Sequence, residues 1–180
     1  MQWQASISWL QSGGALAYPT DTLWGLGCRA DDPGAVLGCL SLKGPDRQAN
    51  CSVIVPIMLL HEIADVPDDI DRFLPGPYTL ILPLKDKRYR HLAQGETIGV
   101  RRPDCPDLLQ TVDALGVPLV TTSLNAHGQS PAHDLLEAKQ VAESWGIPCI
   151  EQSFDAVGPS TILLWRDGWE VLRRGIGIMP

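Results

Sequence analysis

Four short polar clusters combine hydroxyl groups or amides with guanidinium groups, a set of side chains that suits binding of a small anion. They occupy residues 20–22, 101–102, 121–125 and 173–174, and each lies at or near the carboxyl end of an apolar run. A polar group in such a place needs a partner, because burying it unpaired costs free energy. Open α/β sheets commonly bind ligands at the carboxyl ends of their strands. We therefore expect the clusters to bind a ligand that carries a carboxylate or phosphates.

Other polar residues are weaker candidates for a site. His127, His133 and Asp134 would suit a metal-dependent hydrolase, but their spacing matches no familiar metal signature, and a solvated loop is the favoured interpretation. The sequence also lacks the phosphate-binding patterns G-x-x-x-x-G-K-S/T and G-x-G-x-x-G and the nucleophile pattern G-x-S-x-G. We therefore predict no protein-held metal, and any nucleotide must be held without a common phosphate loop.

The composition is that of an ordinary globular chain of 180 residues, in which 44% are hydrophobic and 19% are charged. That length predicts a single domain over residues 1–180. A net charge of −7 disfavours a protein that coats nucleic acid by bulk electrostatics. No apolar run approaches the roughly 18 residues of a membrane span, and the opening segment MQWQASISWL lacks the features of a secretory signal. We therefore expect a cytoplasmic protein.

The elements that must position the polar clusters alternate between strands and helices. Short β-branched or apolar runs predict the strands ALAYPT, CSVIVP, YTLILPL, TIGVRRP, PLVTTSLN and STILLW, and ILLWRDGWEVL predicts a hairpin turned at Asp167-Gly168. Apolar spacing of three to four residues predicts the helices WQASISWLQSGG, DDPGAVLGCLSLKG, IMLLHEIADV, DDIDRFL, PDLLQTVDALG and AHDLLEAKQVAESWG. This alternation predicts an α/β fold, of α+β type, with a mixed sheet and helices on its faces.

Seven segments, taken in order, resemble the landmarks of the YrdC-type family of threonylcarbamoyl-AMP synthases. They are YPTDTLWGLG, the helix end Lys43-Gly44, PGPYTLIL, TIGVRRP, LVTTSLNAHG, GPSTILL and VLRRG. The combination of P-T-D-T-x-x-G-L-G with T-S-x-N at this separation is specific. The resemblance implies a three-layer fold with a twisted mixed sheet of about seven strands around a concave, positively charged cavity.

The reaction that the resemblance implies joins L-threonine, bicarbonate and ATP, with Mg²⁺ as the partner of ATP, into threonylcarbamoyl-AMP and pyrophosphate. The product serves the threonylcarbamoyl modification of adenosine in tRNA through a separate transferase complex, and direct contact with tRNA or double-stranded RNA is allowed. The alternative is a paralogue of the YciO kind that binds RNA or a nucleotide with weak or no synthase activity.

The resemblance also assigns roles to individual residues. The positions that match threonine contacts are Thr22, Arg101, Thr121 and Ser160. The positions that match ATP contacts are Lys43, Arg47, Thr97, Ser123, Asn125 and Arg173. Lys43 and Arg173 are the cations expected to stabilise the charge that develops during nucleotidyl transfer. Trp24 matches a position that is usually large and apolar, which indicates packing.

The sequence departs from the family pattern at two places. Asp21 replaces the commoner glutamate of the first motif. The helix end, usually K-x-R-P, reads Lys43-Gly44-Pro45-Asp46-Arg47 here, so that Pro45 replaces the family's arginine when no gap is allowed. Because loops tolerate shifts better than strands do, Arg47 can take the arginine's role on ATP if the loop is aligned differently. An exposed loop charge is the alternative for Arg47.

Overall fold

A computed structural model describes residues 1–44 and 51–178 of the chain. Within these residues eight strands form one mixed sheet in the order β1-β2-β6-β3-β5-β4-β7-β8. The strands are β1 Leu16–Tyr18, β2 Gly25–Gly27, β3 Ser52–Ile54, β4 Tyr78–Pro83, β5 Thr97–Arg101, β6 Leu119–Ser123, β7 Thr161–Trp165 and β8 Trp169–Arg173. The α-helices are α1 Trp3–Gln11, α2 Pro33–Ser41, α3 Leu60–Ile63, α4 Pro106–Leu115 and α5 Leu135–Ser144. The predicted α/β class with a mixed sheet is confirmed.

The directions of the strands determine to which edge of the sheet each polar cluster points. Strand β3 lies between β5, to which it is parallel, and β6, to which it is antiparallel. The carboxyl ends of β5 and β6 therefore point to opposite edges of the sheet. Polar residues of both strand ends nevertheless line one cavity, because their side chains converge above the same face of the sheet.

The two faces of the sheet differ in what covers them. Val53 of β3 belongs to a core that includes residues of α2 and α5, whereas its neighbour Ile54 packs with Leu10 of α1 and Leu108 of α4. Successive side chains of a strand point to opposite faces, so helices cover both sides of the sheet. This is the predicted three-layer arrangement, and the face beneath α1 and α4 also contains the open area described below.

Local signals placed the ends of several helices correctly. Asp32 precedes α2 and accepts hydrogen bonds from the amides of Gly34 and Ala35, as expected of an N-cap. Gly116, at the end of α4, has φ of +72°, a left-handed conformation that glycine adopts without strain. The hairpin is also confirmed, because Trp165 pairs with Trp169 across the turn at residues 166–168.

Two predicted helices are much shorter than expected. The segment IMLLHEIADV forms the 3-10 turn Ile57–Leu59 and the single turn of α3, because Ala64 becomes extended and pairs with Leu84 at the end of β4. The segment DDIDRFL forms only the 3-10 turn Ile70–Arg72, since Pro75 follows shortly and cannot continue a helix. A third 3-10 segment, Lys87–Leu92, was not predicted. None of the described helices has the length and apolarity needed to cross a membrane.

Candidate active site

The open part of one sheet face forms the floor of a cavity of about 670 Å³. Strand β5 shows how the floor is made: Thr97, Gly99 and Arg101 line the cavity, while Ile98 and Val100 between them point into the core. Seven of the predicted site residues line this one cavity, namely Thr22, Thr97, Arg101, Thr121, Ser123, Ser160 and Arg173. Among the described residues, the charged members of its lining are Arg101, Arg166, Arg173 and Glu96, so this part of the wall has an excess of positive charge.

Arg101 is the buried cation of the cavity. Its Nη2 donates to Oδ1 of Asp21 at 3.0 Å and to Oγ1 of Thr22 at 2.9 Å. Its Nε is buried and has no hydrogen-bond partner within residues 1–44 and 51–178. Burial lowers the pKa of Arg101 from its ordinary value, and the nearby charge of Asp21 opposes this shift. A buried guanidinium with an unpaired donor is poised to receive an anionic group from the cavity.

The turn that carries Thr22 is held together by Thr20. The hydroxyl of Thr20 accepts hydrogen bonds from the amides of Thr22 and Leu23, at 3.1 and 3.2 Å, and contacts Oγ1 of Thr22 at 3.0 Å. Both hydroxyls are buried. The role of Thr20 was not predicted, although a Thr at the start of a turn commonly bonds its own backbone two residues later.

The glycines that follow this turn bring β2 close to its neighbours. A Cβ atom on Gly27 would lie 2.0 Å from the carbonyl oxygen of Val120 and 2.7 Å from the hydroxyl of Tyr18. Because no side chain fits in that space, the second glycine of the opening motif is required by close backbone approach. The sequence did not predict that this glycine lies in a strand.

Ser160 and Arg173 form a second polar group on the cavity wall. Arg173 Nη2 donates to the carbonyl oxygen of Ser160 at 2.8 Å, and the hydroxyl of Ser160 lies 2.8 Å from that of Thr79. These bonds fix one side of the Arg173 guanidinium. Arg166, at the tip of the β7–β8 hairpin, also lines the cavity and was missed, because a turn-flanking arginine has no distinguishing spacing in the sequence.

Lys43 lies beside the cavity and not in its lining. Its Nζ donates to the carbonyl oxygens of Ser123 and Asn125 and to Oδ1 of Asn125, at 2.5, 2.8 and 3.2 Å. Oδ1 of Asn125 also accepts from the hydroxyl of Ser123. A lysine ammonium has three N–H donors, so all three are engaged with the T-S-x-N segment. Burial lowers the pKa of Lys43 to about 8.

Several predicted polar residues serve the fold outside the cavity. Arg102 donates to the carbonyl oxygen of Val55 and pairs with Asp113, so it is directed away from its neighbour Arg101. Asp134 caps α5 by accepting from the amide of Glu137. Among the residues that the structure describes, no group of three His, Cys, Asp or Glu side chains could hold a metal ion, so the hydrolase hypothesis gains no support. Arg47 lies outside the described residues.

Trp24 packs in the core, in keeping with its predicted role. Its side chain is fully buried, and its Nε1 donates to the carbonyl oxygen of Phe154 at 3.1 Å. Its ring also meets that of Phe154 edge-to-face, with centroids 6.1 Å apart. Part of its surface contributes to the cavity wall. Trp24 therefore joins the segment around Phe154 to the turn that carries Thr22.

Comparisons with known proteins agree with this geometry. The Sua5/YciO/YrdC family model, described as "Telomere recombination", matches residues 8–175. A threonylcarbamoyl-AMP synthase of Halorhodospira halophila is 34% identical over 73% of this chain and 72% of that protein. One of Chromohalobacter salexigens is 32% identical over 94% of this chain and 95% of that protein.

Solved structures show the same fold. E. coli YciO superimposes with a TM-score of 0.85 at 27% identity, over 98% of this chain and 90% of that one. P. abyssi Sua5 in complex with L-threonine superimposes with a TM-score of 0.78 at 25% identity, over 96% of this chain but only 54% of that one. With a matching family model over most of its length, the chain belongs to the Sua5/YciO/YrdC family.

Proposed function

We propose that this chain is a threonylcarbamoyl-AMP synthase, an ATP-dependent nucleotidyltransferase that uses L-threonine and bicarbonate and supplies tRNA modification. The observation that supports this most directly is Arg101, a buried arginine with an unpaired Nε in a cavity lined with hydroxyl groups. A carboxylate ligand would satisfy that donor, and the surrounding hydroxyls suit the polar groups of an amino acid. Relatives that cover most of this chain carry the name of this enzyme.

The threonine end of the site is proposed to lie around Arg101. Its guanidinium would bind the carboxylate, as an arginine fork commonly does. Thr22 and Thr121 are buried and line the cavity near it, and they would contact the threonine hydroxyl and amine. Ser160, which also lines the cavity, would complete the polar contacts.

The ATP end is proposed to lie toward Arg173 and the segment that Lys43 holds. Arg173 would bind phosphates, and Thr97 and Ser123, which also line the cavity, would contact the nucleotide. Lys43 positions Ser123 and Asn125 directly and would reach a phosphate only by exchanging one of its present acceptors. Magnesium would arrive bound to the triphosphate, since nucleoside triphosphates carry this ion into many sites.

The chemistry asks mainly for alignment and positive charge. Bicarbonate takes up a proton and loses water to give carbon dioxide. The threonine amine captures the carbon dioxide and releases a proton to give a carbamate. A carbamate oxygen then attacks the α-phosphorus of ATP, and the bond to pyrophosphate breaks. Fixed cations such as Arg173 would stabilise the charge that develops on the phosphates. No covalent intermediate with the protein is needed.

The test is release of pyrophosphate from ATP in the presence of threonine and bicarbonate. Omission of either threonine or bicarbonate should reduce the rate to background, and mass spectrometry should detect the threonylcarbamoyl adenylate. If ATP is hydrolysed equally without threonine, or pyrophosphate is never released, the proposal is wrong. Chelation of magnesium should stop the reaction, and titration of free Mg²⁺ against a fixed ATP concentration tests its role as a partner of ATP.

A second candidate is a nucleotide- or RNA-binding function of the YciO kind. The close superposition on E. coli YciO and the altered Lys43-Gly44-Pro45 loop favour it. It predicts RNA binding that weakens steeply with salt in a protein without threonine-dependent pyrophosphate release. An Arg47→Ala variant tests the loop itself: weaker ATP binding with unchanged threonine binding would assign the missing arginine's role to Arg47.

A further inference from the structure

We propose that Asp21 is a positioning residue for substrate binding, which fixes the Arg101 guanidinium so that its remaining N–H groups can meet the carboxylate of the ligand. This inference rests on the proposed function. In it, Asp21 acts through Arg101 and does not itself touch the substrate. It starts from the unequal use of the five donors of Arg101.

Both oxygens of the Asp21 carboxylate are engaged. Oδ1 accepts from Nη2 of Arg101 at 3.0 Å, and Oδ2 accepts from the backbone amide of Asp104 at 2.9 Å. The side chains of Arg101 and Asp21 are only 10% and 9% exposed. Because both groups are removed from water, the pair is held more tightly than an ion pair on the surface.

The donors of Arg101 divide into two sets. A guanidinium has five N–H groups in a fixed plane. Asp21 and Thr22 take the two hydrogens of Nη2, whereas Nε and Nη1 have no hydrogen bond to any residue that the structure describes. Asp21 therefore orients the plane from one side and leaves the other donors for an incoming anion.

Asp21 also joins two parts of the chain that are distant in sequence. It lies within the turn held by Thr20, and through the amide of Asp104 it is tied to the segment that leads into α4. Arg101 itself ends β5. The position of the guanidinium is thus fixed relative to both of these segments before a ligand arrives, which reduces the entropy lost on binding.

The arrangement makes asparagine a poor substitute for Asp21. Both carboxylate oxygens face N–H donors, but an asparagine amide has one acceptor oxygen, and its NH₂ group would face the other donor. Asp21→Asn therefore keeps the shape and breaks one of the two links. Asp21→Glu keeps the charge and both acceptors on a side chain longer by one methylene.

The experiment compares the kinetics of Asp21→Asn and Asp21→Glu with those of the wild type. We expect Asp21→Asn to raise KM for threonine about 10- to 100-fold, the range expected from losing a hydrogen bond to a charged group, with KM for ATP changed less than about twofold. Asp21→Glu should restore most of the loss. Asp31→Asn is the matched control, because Asp31 also binds an arginine with both oxygens, but on the surface; it should leave both KM values unchanged.

Threoninamide provides a readout that a merely structural role would not move. It lacks the carboxylate, so Asp21→Asn should change its binding, measured by calorimetry, less than about twofold. Equal losses for threonine and threoninamide, equal effects on threonine and ATP, or an unchanged KM for threonine would each overturn the proposal. Should Asp21→Asn not fold, Asp21→Ala, which removes both acceptor oxygens, is compared with the two ligands in the same way, and the same outcomes decide the question.

Failure of the enzymatic function is distinguishable from failure of this inference. If the wild type releases no pyrophosphate but binds threonine, the synthase proposal fails, and the calorimetric comparison of threonine with threoninamide still tests Asp21. If the wild type binds neither threonine nor threoninamide, both proposals are wrong.

Discussion

Substitution of Arg101 is the most informative perturbation of this site, because it can separate the contribution of Arg101 to stability from its contribution to ligand binding. Arg101→Met removes the guanidinium with little loss of volume but leaves Asp21, whose side chain is 9% exposed, without its cationic partner. Breaking a buried ion pair in this way costs about 3–5 kcal/mol. For a chain of this size, that corresponds to a fall in Tm of about 6–20 °C.

The double variant Arg101→Met/Asp21→Asn tests whether that cost comes from the unpaired carboxylate. It removes both charges, so we expect it to recover stability to within about 1–2 kcal/mol of the wild type, as replacement of whole buried pairs often does. Denaturant unfolding of the wild type, both single variants and the double variant closes a double-mutant cycle for the pair.

Threonine binding should not recover with stability. Arg101→Met and the double variant both lack the guanidinium, so each should lose about 2–5 kcal/mol of threonine-binding free energy, which is a rise in Kd of roughly 30- to 4,000-fold. ATP binding should change little. Calorimetry on the folded double variant gives the deciding value: threonine bound as tightly as by the wild type would refute Arg101 as the carboxylate partner. A single variant as stable as the wild type would refute the energetic reasoning about the pair.

Three further predictions concern pH, packing and substrate choice. Burial lowers the pKa of Lys43 from 10.5 to about 8, so between these pH values the unfolded chain binds more protons than the folded protein. The unfolding free energy of the wild type relative to Lys43→Met should therefore rise by about 2 kcal/mol from pH 7.5 to 9.5. Denaturant curves that show no such rise would contradict the burial argument. Trp24→Phe leaves the carbonyl oxygen of Phe154 without its donor, so thermal unfolding should show a loss of about 1–3 kcal/mol in stability. A fall in kcat/KM of more than about tenfold would instead assign Trp24 a direct role in catalysis. Serine should be a poorer substrate by about 1–3 kcal/mol because it lacks the methyl group, and equal kcat/KM for serine and threonine in the pyrophosphate assay would refute the threonine pocket.

Much of the fold could be predicted from the sequence because local patterns and tertiary packing agree there. Strands β5 and β6 are bounded as their apolar runs indicate, and α4 begins at Pro106 and ends at Leu115, with Gly116 as its C-cap. Strand β2 was missed, since its sequence Gly-Leu-Gly has low strand propensity and is held in place by neighbours. The helix predicted around α3 was too long because a backbone pairing with β4 ends it.

The composition of the candidate site was predictable to a different degree from its geometry. The four polar clusters marked five of the seven predicted lining residues, and the family resemblance supplied the other two, Thr97 and Ser160. Alternation along a strand predicts that Arg101 and Arg102 face opposite ways. The sequence could not indicate which of the two faces the cavity, because the register depends on distant strands. Nor could it show that the donors of Lys43 are taken by Ser123 and Asn125, a contact across about 80 positions of sequence.

The alternation along β5 has a consequence for how new specificity could arise in this scaffold. Ile98 and Val100 pack into the core on one side of the sheet, while Thr97 and Gly99 line the cavity on the other. Substitutions at these two cavity positions therefore change ligand contacts with little effect on the core, and evolution or a laboratory library can vary substrate preference and stability almost independently. Gly99 sets the limit of that freedom, because a side chain there would meet Ser52 at 3.1 Å. Combining a substitution at Gly99 with Ser52→Gly would extend the range of substrates that the same backbone can be evolved to bind.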